Sequence, residues 1–320
     1  MNLLLSPNNH LFQLARLGRR LPHLILAIFM TFVFVFLAQL TGGTAAIILI
    51  LLLSVVAGEN IAFDPNDPNT LMAAILPDTA LEQTLLLIFS FGPIFLILWG
   101  WLALVEKRPF WTMGLERAGA GRKYLRGLLV GLVMFVAAVG ISAAFGYIAV
   151  EEGSAQPQGV VALGGVLLVL LGWIVQGAGE ELLARGWLLP VVGARYSPVL
   201  GLIVSSLVFA VLHSLNPNLS LVAILNLALF GLFTALYALY DRGLWGVFSI
   251  HSIWNWAQGN LLGFEVSGMN APGGTLFDLM EVGPDVVTGG PFGPEGGLAV
   301  TAVLIISCLA VWWLGRGGKS

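Results

Sequence analysis

The chain has 320 residues, of which 58% are hydrophobic and only 10% charged, against about a quarter charged in an average soluble domain. With a mean hydropathy of +0.93, that composition argues against a water-soluble fold and predicts an all-α, polytopic membrane protein. The formal net charge of −3 is uninformative about partners, because in such a chain the position of each charge matters more than the sum.

At about 20 apolar residues per crossing, eight runs qualify: 22–57, 82–104, 126–149, 160–194, 197–213, 220–240, 243–263 and 297–315. The N-terminal 1–21 carries Arg16, Arg19 and Arg20. The apolar stretch after it is too long for a secretory signal and ends at no small-residue cleavage site. The first run could hold two short helices broken at Thr41-Gly42-Gly43-Thr44, or one long or kinked element. The loops that follow decide between these. Stretch 58–82 (Glu59, Asp64, Asp67, Asp78, Glu82) has no Lys or Arg, whereas 105–126 carries Lys107, Arg108, Arg117, Arg122, Lys123 and Arg126. Two crossings in the first run would put the acidic loop inside and the basic one outside, against the positive-inside rule. One element is therefore expected.

Segment 105–126, with Pro109, Phe110 and Trp111, reads as a short interfacial piece whose cations touch anionic headgroups. Stretch 150–159 (Glu151, Glu152) is again free of Lys and Arg, as is the Gly- and Pro-rich 264–296 (Glu265, Asp278, Glu281, Asp285, Glu295). These are expected to be external, with 264–296 at the external surface. The remaining cations are Arg185, Arg195, Arg242, Arg316 and Lys319; with the basic stretches cytoplasmic, eight crossings put both termini inside. Residues 22–159 thus form an N-terminal group of transmembrane helices, 160–263 a core, and 297–320 the last helix and tail. The single cysteine, Cys308, excludes an internal disulfide or a cysteine-rich metal site. Its place in the last helix fits ordinary packing.

Ionisable groups within the hydrocarbon region are costly and are functional candidates by default. The fourth run contains Gly179-Glu180-Glu181-Leu182-Leu183-Ala184-Arg185. On a helix Glu181 and Arg185 are i,i+4 neighbours able to neutralise each other, while Glu180 is rotated about 100° away and left free. Glu180 lies about 22 Å deep if the helix leaves the membrane near Arg195, and about 8 Å if it leaves at Arg185. The fifth run ends Phe209-Ala210-Val211-Leu212-His213, placing His213 roughly 24 Å from its start. In the seventh, His251-Ser252-Ile253-Trp254-Asn255 puts two polar groups one turn apart, roughly 12 and 18 Å deep. The depths overlap, so Glu180, His213, His251 and Asn255 can meet. Asn226, in the sixth run, reads as an interhelical hydrogen-bonding group that also has access to such a cavity. His10 and His23 fall at the N-terminal end.

A carboxylate and an imidazole can hold a water and take its proton. A second imidazole and an amide can donate to a developing oxyanion. Each motif alone is as well explained by interhelical hydrogen bonding or a structural ion pair. The three in this order are harder to explain that way.

The set Glu180-Glu181-x-x-x-Arg185, Phe209-x-x-x-His213 and His251-x-x-x-Asn255 resembles the CPBP family, the CAAX-processing and bacteriocin-processing, or abortive-infection, intramembrane proteases. The patterns are individually short, and their order, spacing and placement carry the likeness over about 160–263. The resemblance implies a membrane-embedded endopeptidase acting on a membrane-associated protein or peptide. It implies that Glu180 and His213 activate water, that His251 and Asn255 stabilise the oxyanion, and that Glu181 and Arg185 support the site. Two mechanisms stay open. Glu180, His213 and His251 have the donor types of a zinc site, whereas a metal-free, glutamate-type mechanism needs no ion; the H-E-x-x-H helix of zincins is absent. Membrane lipid and a peptide substrate are the expected partners, and no nucleic acid. The short loops fit a prokaryotic plasma membrane. Two non-proteolytic readings compete: an immunity or regulatory protein binding a peptide without cleaving it, and a transporter, against which the lack of an inverted repeat counts.

Overall fold

Helices occupy every one of the eight predicted runs in the computed structural model, which describes residues 3–58, 70, 75–151, 153 and 156–316. Glu59, Asp64, Asp67, Glu152 and Lys319, used above to orient the chain, lie outside the described residues. A short helix α1 (His10–Ala15) precedes α2 (Leu24–Ala57), α3 (Ala80–Glu106), α4 (Ala120–Ala144) and α5 (Gly159–Arg195). Then come α6 (Pro198–Leu212), α7 (Leu221–Asp241) and α8 (Trp245–Trp256), the last continued by a π-helical turn at Ala257–Leu261. A small helix α9 (Asp285–Thr288) and α10 (Leu298–Leu314) complete the chain.

Among the described residues five helices, α2, α3, α4, α5 and α7, are long and apolar enough to cross a membrane. Their outer faces carry exposed Phe29, Phe36, Leu96, Leu104 and Leu129, apolar surface that water would not tolerate at this density. The chain is an integral membrane protein. The other three predicted crossings are shorter: α6 has 15 residues, α8 12 and α10 17. At about 1.5 Å per residue each falls short of a ~30 Å hydrocarbon core.

Local sequence sets the helix ends. Thr79 and Glu82 form a reciprocal capping box at the start of α3, Thr79 Oγ1 accepting from Glu82 N at 3.2 Å and Glu82 Oε2 from Thr79 N at 3.1 Å; two otherwise orphaned amides are satisfied. Ser197 and Ser220 cap α6 and α7 through Leu200 N and Ala223 N. The Thr41-Gly42-Gly43-Thr44 stretch does not break α2, which passes through it as a π-helical turn at Gln39–Gly43. There α2 meets α3 backbone to backbone: a Cβ on Gly42 would lie 1.8 Å from the Phe89 carbonyl oxygen. The single-element expectation fits this geometry.

Two segments depart from the sequence reading. In 105–126, Arg108 turns inward and is fully buried rather than lying among headgroups: its Nε donates to Glu106 Oε2 at 2.6 Å, while Trp101 and Trp187 both donate to Glu106 Oε1. Burial is tolerated because the two charges neutralise each other and the indoles satisfy the remaining oxygen. Stretch 264–296 is not a simple surface loop. Its strand β2 (Leu279–Glu281) pairs antiparallel with β1 (Ile148–Val150), Ala149 opposite Met280, and the rest folds inward over the helices. Asn226 ties this segment down: its Nδ2 donates to Glu295 O at 2.8 Å and Gly297 O at 2.9 Å, and its Oδ1 accepts from Thr301 Oγ1. That is the interhelical role expected of it, linking α7 to the start of α10.

The site lies where α5 packs against α3 on one side and α8 on the other, with α6 and α7 closing the group. Gly177 lets α5 and α8 pack closely. A Cβ there would lie 2.8 Å from the Ser252 amide nitrogen, so a larger residue would push α8, with His251 and Asn255, away from α5.

Candidate functional site

The four polar residues expected to converge do so, at one wall of a cavity of about 1550 Å³. Glu180 comes from α5, His213 caps the end of α6, and His251 and Asn255 lie one turn apart on α8. Glu180 Oε2 is 3.7 Å from His213 Nε2 and 3.8 Å from His251 Nε2, too long for direct hydrogen bonds. It is buried and accepts no hydrogen bond from the described residues. The other oxygen, Oε1, accepts from Gln176 Nε2 at 2.7 Å.

Backbone and carboxylate acceptors fix both imidazoles. His213 Nδ1 lies 2.8 Å from the Phe209 carbonyl oxygen, four residues back, and His251 Nδ1 lies 2.9 Å from Glu181 Oε1. Carbonyl and carboxylate oxygens only accept, so each Nδ1 bears a proton and each Nε2 is turned toward Glu180. Ring packing holds the same orientation: Phe209 sits 4.6 Å from the His213 ring and Phe230 5.1 Å from the His251 ring.

Glu181 and Arg185 stand behind the site and do not line the cavity. The expected pair is present, Arg185 Nη1 donating to Glu181 Oε1 at 3.1 Å with both side chains fully buried. The guanidinium also stacks 4.4 Å over the Phe209 ring. Arg185 lies in a π-helical turn, Leu182–Leu188, a local widening of the kind found at functional sites. Sequence reasoning left Glu181 as the neutralised partner of Arg185; the structure gives it a second task, holding His251.

Other residues of the site were missed. Gln176 bridges Glu180 and Asn255, whose Nδ2 donates to Gln176 Oε1 at 2.9 Å. A polar amide four residues before Glu180 in an apolar run was a usable signal. Glu295 and Ser267 line the cavity from the folded-over segment, Ser267 N and Oγ donating to Glu295 Oε1 at 2.6 and 2.7 Å. Burial pushes the Glu295 carboxyl above the ordinary carboxylate range, with the Ser267 hydrogen bonds and the nearby His213 and His251 acting the other way. Nothing local in the sequence marks either residue. Asn226 lines the cavity too. His10 and His23 lie elsewhere, His10 paired with Glu116 at 2.6 Å and His23 capping α2 through Leu26 N.

Zinc ligation requires three or four donors about 2.0–2.2 Å from one point. Among the described residues no group of three or more His, Cys, Asp or Glu side chains is arranged to hold a metal ion. In this structure Glu180, His213 and His251 are not gathered around one point, and the gaps of 3.7 and 3.8 Å are of a size that a hydrogen-bonded water can bridge.

A carboxylate oxygen without a donor among the described residues, two oriented imidazoles and an amide thus share one helix-lined cavity. The comparisons name the class. Residues 162–257 match the model of the Rce1-like family, described as type II CAAX prenyl endopeptidase Rce1-like, a similarity in agreement with the CPBP resemblance. The matched stretch contains Gln176, Glu180, Glu181, Arg185, His213, His251 and Asn255, so the kind of function is that of a membrane protease, a hydrolase acting on protein or peptide. No curated protein and no solved structure matches the chain.

Proposed function

We propose that the protein is an intramembrane endopeptidase hydrolysing a peptide bond of a membrane-associated protein or peptide. The observation that carries this reading is the disposition of Glu180 Oε2, buried, without a donor among the described residues and facing the Nε2 atoms of His213 and His251 at 3.7 and 3.8 Å.

A water about 2.8 Å from both Glu180 Oε2 and His213 Nε2 fits the gap between them. It donates one hydrogen to each, which leaves its oxygen lone pairs free to attack a carbonyl carbon. As the C–O bond forms, Glu180 Oε2 takes the proton. The carbonyl oxygen becomes an oxyanion, which accepts from Asn255 Nδ2 and, when the ring carries both protons, from His251 Nε2. Collapse breaks the C–N bond, and the proton on Glu180 passes to the departing amine. Glu181 and Arg185 keep His251 oriented throughout. No step is routed through a metal.

In this reading α6, α8 and α10 also cross, giving eight crossings with both termini cytoplasmic, the bilayer thinning or the flanks adjusting around the shorter helices. The membrane is a prokaryotic plasma membrane. The prenylated C-terminal motif in the family's description is the first substrate class to try.

The test is cleavage in H2¹⁸O by the full chain in liposomes, against membrane-associated peptides with and without a prenylated C-terminal motif. Hydrolysis at this site places one ¹⁸O in the new carboxyl group of a product whose appearance is abolished in Glu180→Ala. A Glu180→Ala variant, folded as wild type, that yields the same products at the same rate removes the proposal.

A further inference from the structure

Glu180 and Asn255 sit on different helices and do different chemistry, yet one buried side chain joins them. Gln176 Nε2 donates to Glu180 Oε1 at 2.7 Å, and Gln176 Oε1 accepts from Asn255 Nδ2 at 2.9 Å. The direction of both amides follows from the carboxylate. Glu180 offers only lone pairs, so Gln176 must turn its nitrogen to it. That leaves the Gln176 oxygen for Asn255, which must therefore present its own nitrogen.

We propose that Gln176 is a positioning residue of the hydrolytic site, an inference that rests on the proteolytic reading above. It has two effects. By occupying Glu180 Oε1, it leaves Oε2 as the oxygen that faces both histidines and takes the proton. By accepting one hydrogen from Asn255 Nδ2, it turns the Asn255 amide so that the second Nδ2 hydrogen remains for an acceptor in the cavity that Asn255 lines. Without Gln176 the Asn255 amide can rotate and present Oδ1, which would repel an oxyanion. Gln176 is itself buried, 6% exposed, and stands one turn before Glu180 on α5. The base and the oxyanion donor are therefore oriented from the same rigid helix.

Steady-state cleavage by the full chain in liposomes tests this, with Gln176→Leu, Gln176→Glu, Asn255→Ala and the Gln176→Leu/Asn255→Ala double variant beside wild type and Glu180→Ala. Gln176→Leu is expected to lower kcat roughly tenfold or more with KM little changed, since misplacing a reacting group acts on the transition state. In the Asn255→Ala background the same substitution is expected to cost less, because one of the two groups it orients is gone and only its effect on Glu180 remains. Gln176→Glu keeps the size but sets a second carboxyl against Glu180, and is expected to move the acidic limb of the kcat/KM against pH profile upward. A Gln176→Leu variant with wild-type kcat, in a preparation where Glu180→Ala is inactive, overturns the Gln176 role and leaves the proteolytic reading standing. An equal loss in both Asn255 backgrounds shows that Gln176 does not act through Asn255 and overturns the second effect. If Gln176→Leu does not fold, the Gln176→Glu profile decides, and an unshifted profile overturns the role. Wild-type activity in Glu180→Ala overturns the proteolytic reading and this inference with it.

Discussion

Glu181 Oε1 accepts the Nδ1 proton of His251 at 2.9 Å while also receiving Arg185 Nη1 at 3.1 Å. One carboxylate oxygen thus ties together α5, the π-helical turn within it and α8. Replacing Glu181 by Leu should strip both partners at once, leaving Arg185 buried without its counter-charge and His251 free to rotate. The expected cost is roughly 3–5 kcal/mol of stability, read as a lower unfolding temperature in detergent. Cleavage should fall in whatever fraction stays folded. A Glu181→Leu variant as stable as wild type would show that the pair carries no weight in the fold.

Metal removal gives a second prediction. Because the step proposed for Glu180 and His213 needs no ion, prolonged dialysis against a chelator should leave the cleavage rate unchanged. Elemental analysis of the purified protein should find less than one zinc per chain. Loss of activity on dialysis and its recovery on adding zinc would instead mean that Glu180, His213 and His251 close around an ion when substrate or metal arrives.

A third prediction concerns the folded-over segment 264–296. Glu281, in β2, is pushed up to about 8 by burial and by the neighbouring charges of Glu265 and Glu151, its own backbone amide acting the other way. Its folded-state value is raised, so the folded chain holds a proton that the unfolded chain has lost. Stability is full below the ordinary carboxylate range and falls as pH rises toward about 8, after which it levels off. Glu281→Gln should flatten that decline and make the protein more stable than wild type at alkaline pH. Parallel unfolding curves for the two proteins across this window would contradict the assignment.

Much of this architecture was legible because hydrocarbon imposes a simple rule: apolar runs must be long, and charges must sit outside them or be paired. Glu180, His213, His251 and Asn255 stood out for that reason. The Glu181 and Arg185 pair followed from helical spacing alone. What the chain did not disclose depends on contacts between distant segments. Glu295 reaches the cavity only because Asn226 anchors the segment that carries it, and Arg108 is buried only because Trp101 and Trp187 cap its partner Glu106. The second task of Glu181 was hidden for the same reason, since nothing in the i,i+4 pattern on α5 reveals which residue of α8 will lie opposite. The runs overshoot α6, α8 and α10 at both ends, where Ser197 caps α6 and the backbone at Leu244 and Gly297 turns into the other two.

The most direct test of the central claim is a single-turnover measurement of peptide cleavage by wild type and Glu180→Gln, each reconstituted in liposomes and shown to unfold at the same temperature. Glutamine preserves the size of the side chain and an oxygen to meet Gln176, but it cannot take a proton from water. The account predicts that the Glu180→Gln rate falls at least ~100-fold, the lower range for loss of a general base, with substrate binding little changed. A Glu180→Gln protein that cleaves at the wild-type rate would contradict it.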